Sequence, residues 1–261
     1  MTETTWLWIG AFGMLAGSVL LFGLGGTRTQ DEEGHTIAHG LVPLFAAISY
    51  FAMATRQGQI TLPGGREFLF ARYVDWSVTT PVLLLALSMT ALHGARRRSG
   101  LVAGLLASDV VMIVTGMFFG ASEAPFVKWV WYVTSCIAFL AVYFILFGPM
   151  RTEARSRDVE RSQLYLRNAS ILAVLWLLYP IIVIFGPDGL GIWTATLTTA
   201  CVTILDLIAK VVYGFVAMTG SKKIADADIA RGEVEAAVIA THSVPSGSAR
   251  NVKTMSADTA R

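Results

Sequence analysis

An all-α membrane protein, a bundle of seven transmembrane helices, is the fold class this sequence predicts, and three observations predict it. Of 261 residues, 54% are hydrophobic and only 15% charged, with a mean hydropathy of +0.60, whereas a soluble domain carries about 25% charged residues. Seven apolar runs, at about 6–24, 37–55, 68–92, 101–120, 127–148, 169–186 and 191–218, each come near the ~20 residues a spanning helix needs. Most charged residues fall in short segments between these runs. Helices satisfy their own backbone in lipid, and an open sheet could not. The composition also excludes a disordered chain. Cys136 and Cys201 are too few to staple a chain of this size, and a net charge of +2 gives no basic excess for nucleic acid.

The first run has no basic segment before it, and Gly23–Gly26 is a poor cleavage site, so it reads as a retained helix rather than a signal peptide. The second run contains HGLVP (39–43) near one end. The third holds Arg72, Asp75, Trp76 and Thr79 at i, i+3, i+4 and i+7, one helix face. The fourth carries Asp109. The fifth carries Lys128 at its start and no other charged residue. The sixth contains LWLLYP (175–180). The seventh, with TILDLIAKVVYGFVAM, holds Asp206 and Lys210 four residues apart on one face. Beyond it, residues 221–261 contain six Lys/Arg and five Asp/Glu among many Ala, Ser and Thr, and read as a polar, disordered tail. The expected division is therefore a membrane domain over 1–220 and a cytoplasmic tail over 221–261.

Lys and Arg set the orientation. The loop after the third run carries Arg96, Arg97 and Arg98. The loop after the fifth carries Arg151, Arg155, Arg157, Arg161 and Arg167, and the segment after the seventh begins Lys222, Lys223. On the other side stand only Arg56, Arg66 and Lys128. The N-terminus is expected outside the cell and the C-terminus in the cytoplasm. Arg28, beside Asp31, Glu32 and Glu33, adds little.

Apart from Lys128 at the start of the fifth, five charged residues remain inside the runs: Arg72, Asp75, Asp109, Asp206 and Lys210. Each costs roughly 2.5–3.5 kcal/mol at a helix centre on the insertion scale. Two carboxylates and two cations on the third and seventh runs form a neutral cluster. Such a cluster can serve only to fix helix register. A desolvated lysine amine, however, is also a good nucleophile for an aldehyde.

ARYVDWSVTTPVLLL (71–85) resembles the third helix of microbial rhodopsins of the bacteriorhodopsin type. LDLIAK (205–210) resembles their retinal-binding seventh helix and LWLLYP their sixth. SDVVMIVTG (108–116), with Asp109, Met112 and Gly116, resembles the fourth. The resemblance covers about 5–218. It implies that Lys210 carries all-trans retinal as a protonated Schiff base, that Asp75 is the primary counterion and proton acceptor, and that Asp206 is the second counterion. Arg72 is implied on their extracellular side, and Thr79 in a hydrogen bond near Asp75. The implied pocket has Trp76, Trp176 and Tyr179 boxing the polyene, Tyr50 and Tyr73 nearby, and Pro180, Met112, Gly116 and Thr80 on its walls. Leu83 stands where an apolar residue goes with green absorption. Without the resemblance, most of these aromatics read as core packing.

The departures from the family pattern concern proton entry and exit. Where many of its pumps carry a carboxylic donor, two turns beyond Thr79, this chain has Ala86. The Asp-Thr-Ala set is nearer to groups with Gly or Ser there, some of which pump and some of which sense. Val183 replaces a pocket tryptophan. In the proton-release region Asp188 remains, but Thr198 stands where a second carboxylate would. His39 is implied to approach Ala86, where imidazole could relay a proton; it also reads as an interfacial histidine bonded to backbone. His35 and His39 are i, i+4 apart without a third ligand, so no metal site is expected.

The functional expectation is a light-driven outward proton pump of the plasma membrane, a transporter and not an enzyme. Protons and the lipid bilayer are its partners, and a trimer or pentamer, common in the family, is its expected assembly. The alternative is a photosensory rhodopsin signalling through a transducer, although the tail shows no heptad run for a coiled coil. Chloride pumping asks for a neutral residue at Asp75, and sodium pumps of the family carry Asn-Asp-Gln at the three motif positions.

Overall fold

The computed structural model describes residues 1–27, 29–92, 99–156 and 158–242. Seven spans are long and apolar enough to cross a membrane. The first four are α1 (Glu3–Leu24), α2 (Gln30–Ala54), α3 (Phe70–Leu92) and α4 (Ser99–Ala121). The fifth joins α5 (Pro125–Ile145) through a π-helical turn (Leu146–Met150) to the short α6 (Arg151–Arg155). The sixth is α7 (Val159–Phe185). The seventh joins α8 (Ala195–Leu207) through a second π turn (Ile208–Val212) to α9 (Tyr213–His242).

Several helices start before the apolar runs because capping side chains fix their ends. Thr29 accepts from the Glu32 amide at 3.1 Å, and α2 begins there rather than at 37. Asp158 accepts from the Arg161 amide at 2.8 Å, and α7 begins at Val159 rather than at 169. Thr194 caps α8 in the same way, through the Leu197 amide at 3.2 Å. Between α2 and α3 the chain forms a small antiparallel hairpin, β1 (Ile60–Thr61) with β2 (Glu67–Phe68), which apolar periodicity did not reveal.

The expected disordered tail is corrected over its first half. α9 continues to His242, beyond the boundary at 220. Ile224 and Ala225 are buried, and Asp228 pairs with Arg161 of α7, so the polar segment has a helix to pack against. Arg231 adds pairs to Asp228 and Glu160. Residues 243–261 lie outside the described residues, as do Arg28, Arg96, Arg97, Arg98 and Arg157 of the charge comparison.

The main core lies among α3, α4, α5, α7 and the seventh span, around Trp76, Leu83, Met112 and Trp176. A second core joins α1 and α2 around Met14, Ala46 and Tyr50. Close approach there depends on Gly10, where a Cβ would lie 2.3 Å from the Tyr50 ring. Exposed apolar side chains such as Phe12, Ile137, Leu140 and Phe144 face outward, the surface a bilayer solvates.

Candidate functional site

Lys210 lies in the second π turn and is buried with Asp75 and Asp206. Its Nζ is in a short contact with Asp75 Oδ2 and 3.4 Å from Asp206 Oδ1. The two carboxylates differ in their other partners. Asp206 accepts from the Tyr50 hydroxyl at 2.8 Å, the Tyr179 hydroxyl at 2.6 Å and the Trp76 indole N–H at 3.4 Å. Asp75 Oδ1 is buried with no hydrogen-bond partner. Thr79 donates to the Asp75 backbone carbonyl at 2.8 Å, so it secures the helix turn beneath that carboxylate.

The Lys210 side chain ends a cavity in the main core. Trp76, Thr80 and Leu83 from α3 and Met112 and Gly116 from α4 line it, with Trp176, Tyr179 and Pro180 from α7. These expected pocket residues are thus brought together, and Tyr73 and Val183 join them. Tyr50 is placed differently. It is not among the lining residues, because its hydroxyl reaches across from α2 to Asp206. The reading of the sequence missed Ile113 and Phe119 on α4, Ser135, Cys136 and Phe139 on α5, and Ala209 beside the lysine. The spacing of Tyr132, Ser135, Cys136 and Phe139 marks one face of a helix and could have disclosed the α5 wall. Asp109 of α4 is fully buried and accepts from Thr80 at 2.7 Å, which ties α4 to α3.

The sequence matches the family described as Bacteriorhodopsin-like protein over residues 1–224. The chain belongs to the bacteriorhodopsin-like family. It is 39% identical over 219 residues to a bacteriorhodopsin from Haloterrigena sp. (strain arg-4), covering 82% of this chain and 86% of that one. It is 32% identical over 216 residues to sensory rhodopsin-2 from Natronomonas pharaonis, covering 82% and 87%. The crystal structure of the light-driven proton pump Coccomyxa subellipsoidea rhodopsin superimposes with a TM-score of 0.76 at 31% identity, covering 83% and 96%. This rhodopsin is accordingly a multi-pass protein of the plasma membrane, in a family of light-driven transporters and photoreceptors that bind retinal.

The residues of this rhodopsin fit retinal. A largely apolar, aromatic-walled slot that ends on a primary amine suits a polyene aldehyde, and the unpartnered Asp75 Oδ1 lies beside that amine. Toward the end where α1 begins, buried Arg72 donates to the Thr199 hydroxyl at 3.3 Å. Asp188, in the loop before α8, pairs with Arg66, and Tyr73 donates to it at 3.5 Å. Burial pushes the Asp188 carboxyl above the usual carboxylate range, and the nearby Arg72, Arg66 and Lys128 charges oppose that shift. At the opposite end His39 is buried on α2. Its ring stands 6.0 Å from His35 and 5.8 Å from Tyr213, and its Nδ1 is without a partner. Its side chain is buried within the bundle. Ala86 is likewise buried.

Proposed function

We propose that this rhodopsin is a light-driven outward proton pump, with all-trans retinal held as a Schiff base on Lys210. When bound, retinal supplies light absorption and a double-bond isomerisation that displaces the proton at Lys210 Nζ. The inequality of the two carboxylates around that atom carries the reading. Three further donors, from Tyr50, Tyr179 and Trp76, already occupy the Asp206 oxygens. Asp75, with an unpartnered oxygen, is the carboxylate able to take the Nζ proton. Arg72 and a polar cavity lead from this pair toward the end where α1 begins. Arg151, Arg155, Arg161, Lys222 and Lys223 gather at the other end, which supports a cytoplasmic assignment for it. Asp75 then delivers protons outward, against roughly 2.3 kcal/mol per 100 mV for each charge moved.

Return of a proton to Lys210 Nζ comes from the cytoplasmic side. Ala86 cannot titrate, and His39 is the buried titratable group proposed to relay it. The test is the light-induced pH change of an unbuffered suspension of cells that express the protein with all-trans retinal. Acidification abolished by a protonophore is the expected result. Coloured cells without acidification favour a photosensor, the reading supported by the likeness to sensory rhodopsin-2 and by Ala86.

A further inference from the structure

A second polar cavity opens at the end of the bundle where α1 begins, between exposed Thr4, Arg56 and Glu67 at its mouth and buried Arg72 and Thr199 at its floor. Three carboxylates line it: Glu3, Glu67 and Asp188. Two of them are engaged elsewhere. Glu67 accepts from Gln59 at 2.9 Å and Thr61 at 2.7 Å across the hairpin, and Asp188 is paired with Arg66. Thr198 cannot supply a fourth, since it is a buried hydroxyl packed against Gly186, and its Oγ1 has no partner. Glu3, in the first turn of α1, is placed differently. The Thr199 hydroxyl donates to Glu3 Oε1 at 2.9 Å, and the same hydroxyl accepts from Arg72 Nη2 at 3.3 Å. One side-chain oxygen therefore links the buried guanidinium next to the Lys210 cluster with a half-buried carboxylate facing the cavity.

We propose that Glu3 is the exit carboxylate of this rhodopsin: it receives the proton that leaves Asp75 and passes it to water in the outer cavity. The inference rests on the outward-pump reading. Glu3 Oε1 accepts from the Thr199 hydroxyl, so the side-chain link that starts at Arg72 ends on a carboxyl group at the cavity. When the O–H bond of Asp75 breaks, Asp75 and Asp206 together regain a negative charge and hold Arg72 more strongly. The proton crosses the Arg72–Thr199 link through water and forms an O–H bond on Glu3. That bond breaks in turn as the proton enters the cavity. Arg56, Arg72, Glu67 and Asp188 are the charged groups facing Glu3 around this cavity. Of these, Arg72 alone is joined to it through a shared hydroxyl.

The experiment uses the full chain with bound retinal in lipid, and compares wild type, Glu3→Gln, Glu3→Asp and Thr199→Val. Time-resolved infrared difference spectra follow the carboxylic carbonyl bands, and a pH-sensitive dye times proton release. In the wild type, a second carboxylic band should rise as the Asp75 band decays. Glu3→Gln should remove that band and slow both Asp75 deprotonation and release by about tenfold or more, the loss of a positioned proton-transfer group. Glu3→Asp should restore the band, and Thr199→Val should slow its rise. A residue with a purely structural role would shift thermal stability and leave the bands alone. An unchanged band pattern and release time in Glu3→Gln, with wild-type cells still acidifying in light, would overturn the assignment of Glu3 alone. Wild-type cells that never acidify would overturn the pump reading, and the exit role with it.

Discussion

A methyl group at residue 10 should disturb the counterion from across the bundle. In Gly10→Ala the new Cβ would lie 2.3 Å from Tyr50 Cδ1 and 2.4 Å from Cε1. Carbon atoms rest about 3.5–4.0 Å apart, so the ring or α1 must yield by more than about 1 Å. The Tyr50 ring has little room to retreat, being 2% exposed and tethered by its hydroxyl to Asp206 at 2.8 Å. Overpacking alone costs about 1–3 kcal/mol. Loss of the hydrogen bond to a charged carboxylate adds about 1.5–3 kcal/mol if the ring moves rather than the helix. The assay is a double-mutant cycle of Gly10→Ala with Tyr50→Phe, read by thermal unfolding and by the visible band of the retinal-bound protein. Phe keeps the ring and its clash but has no hydroxyl, so the hydrogen-bond component is lost once and the two effects should sum to less than additivity. Wild-type stability and colour in Gly10→Ala, or strict additivity in the cycle, would refute the reasoning.

Three further outcomes are expected. Lys210→Ala should yield a colourless protein with added retinal, since the cavity then ends on a methyl group; a visible pigment would remove Lys210 as the attachment point. Thr80→Val deprives buried Asp109 of its 2.7 Å donor and should cost about 1–3 kcal/mol in thermal unfolding. Asp109→Asn in the same background should recover part of that loss. His39→Ala should slow the last phase of the photocycle and steepen its slowing as cytoplasmic pH rises, because water alone must then supply the proton. An unaltered late phase would leave His39 as packing.

What the sequence disclosed followed from energetic cost. Arg72, Asp75, Asp206 and Lys210 were legible because charges in apolar runs demand partners, and helical spacing put each pair on one face. The pocket wall on α5 carried only the weaker signal of helical spacing, since Ser135, Cys136 and Phe139 are ordinary residues in an apolar helix and which face turns inward depends on how α5 rotates against α4. Tyr50 is expected near the pocket, and its aromatic body packs near Gly10 while its hydroxyl finds the counterion, a division only tertiary structure reveals. Glu3 went unnoticed because an acidic residue in the first turn of a helix is commonplace. Its link to Thr199 spans nearly the whole chain. The helical extension to His242 escaped because polar composition says little where another helix offers ion pairs.

The π turn at Ile208–Val212 has a consequence for how this chain tolerates change in length. It closes with the Tyr213 amide bonded to the Ile208 carbonyl, five residues back, so the helix carries one residue more than an α-turn holds. Removing a single residue there would let the segment relax into regular helix and leave everything after it in phase, because four residues would then span the turn that five span now. Tyr213 would stay beside the His39 ring, and Gly214 would still face α2. A deletion in the exposed turn at Pro63–Gly65 changes a surface loop. The same loss in the regular helix of α8 would rotate everything beyond it by about 100°, so the π turn is the place where the seventh span can absorb a change of length.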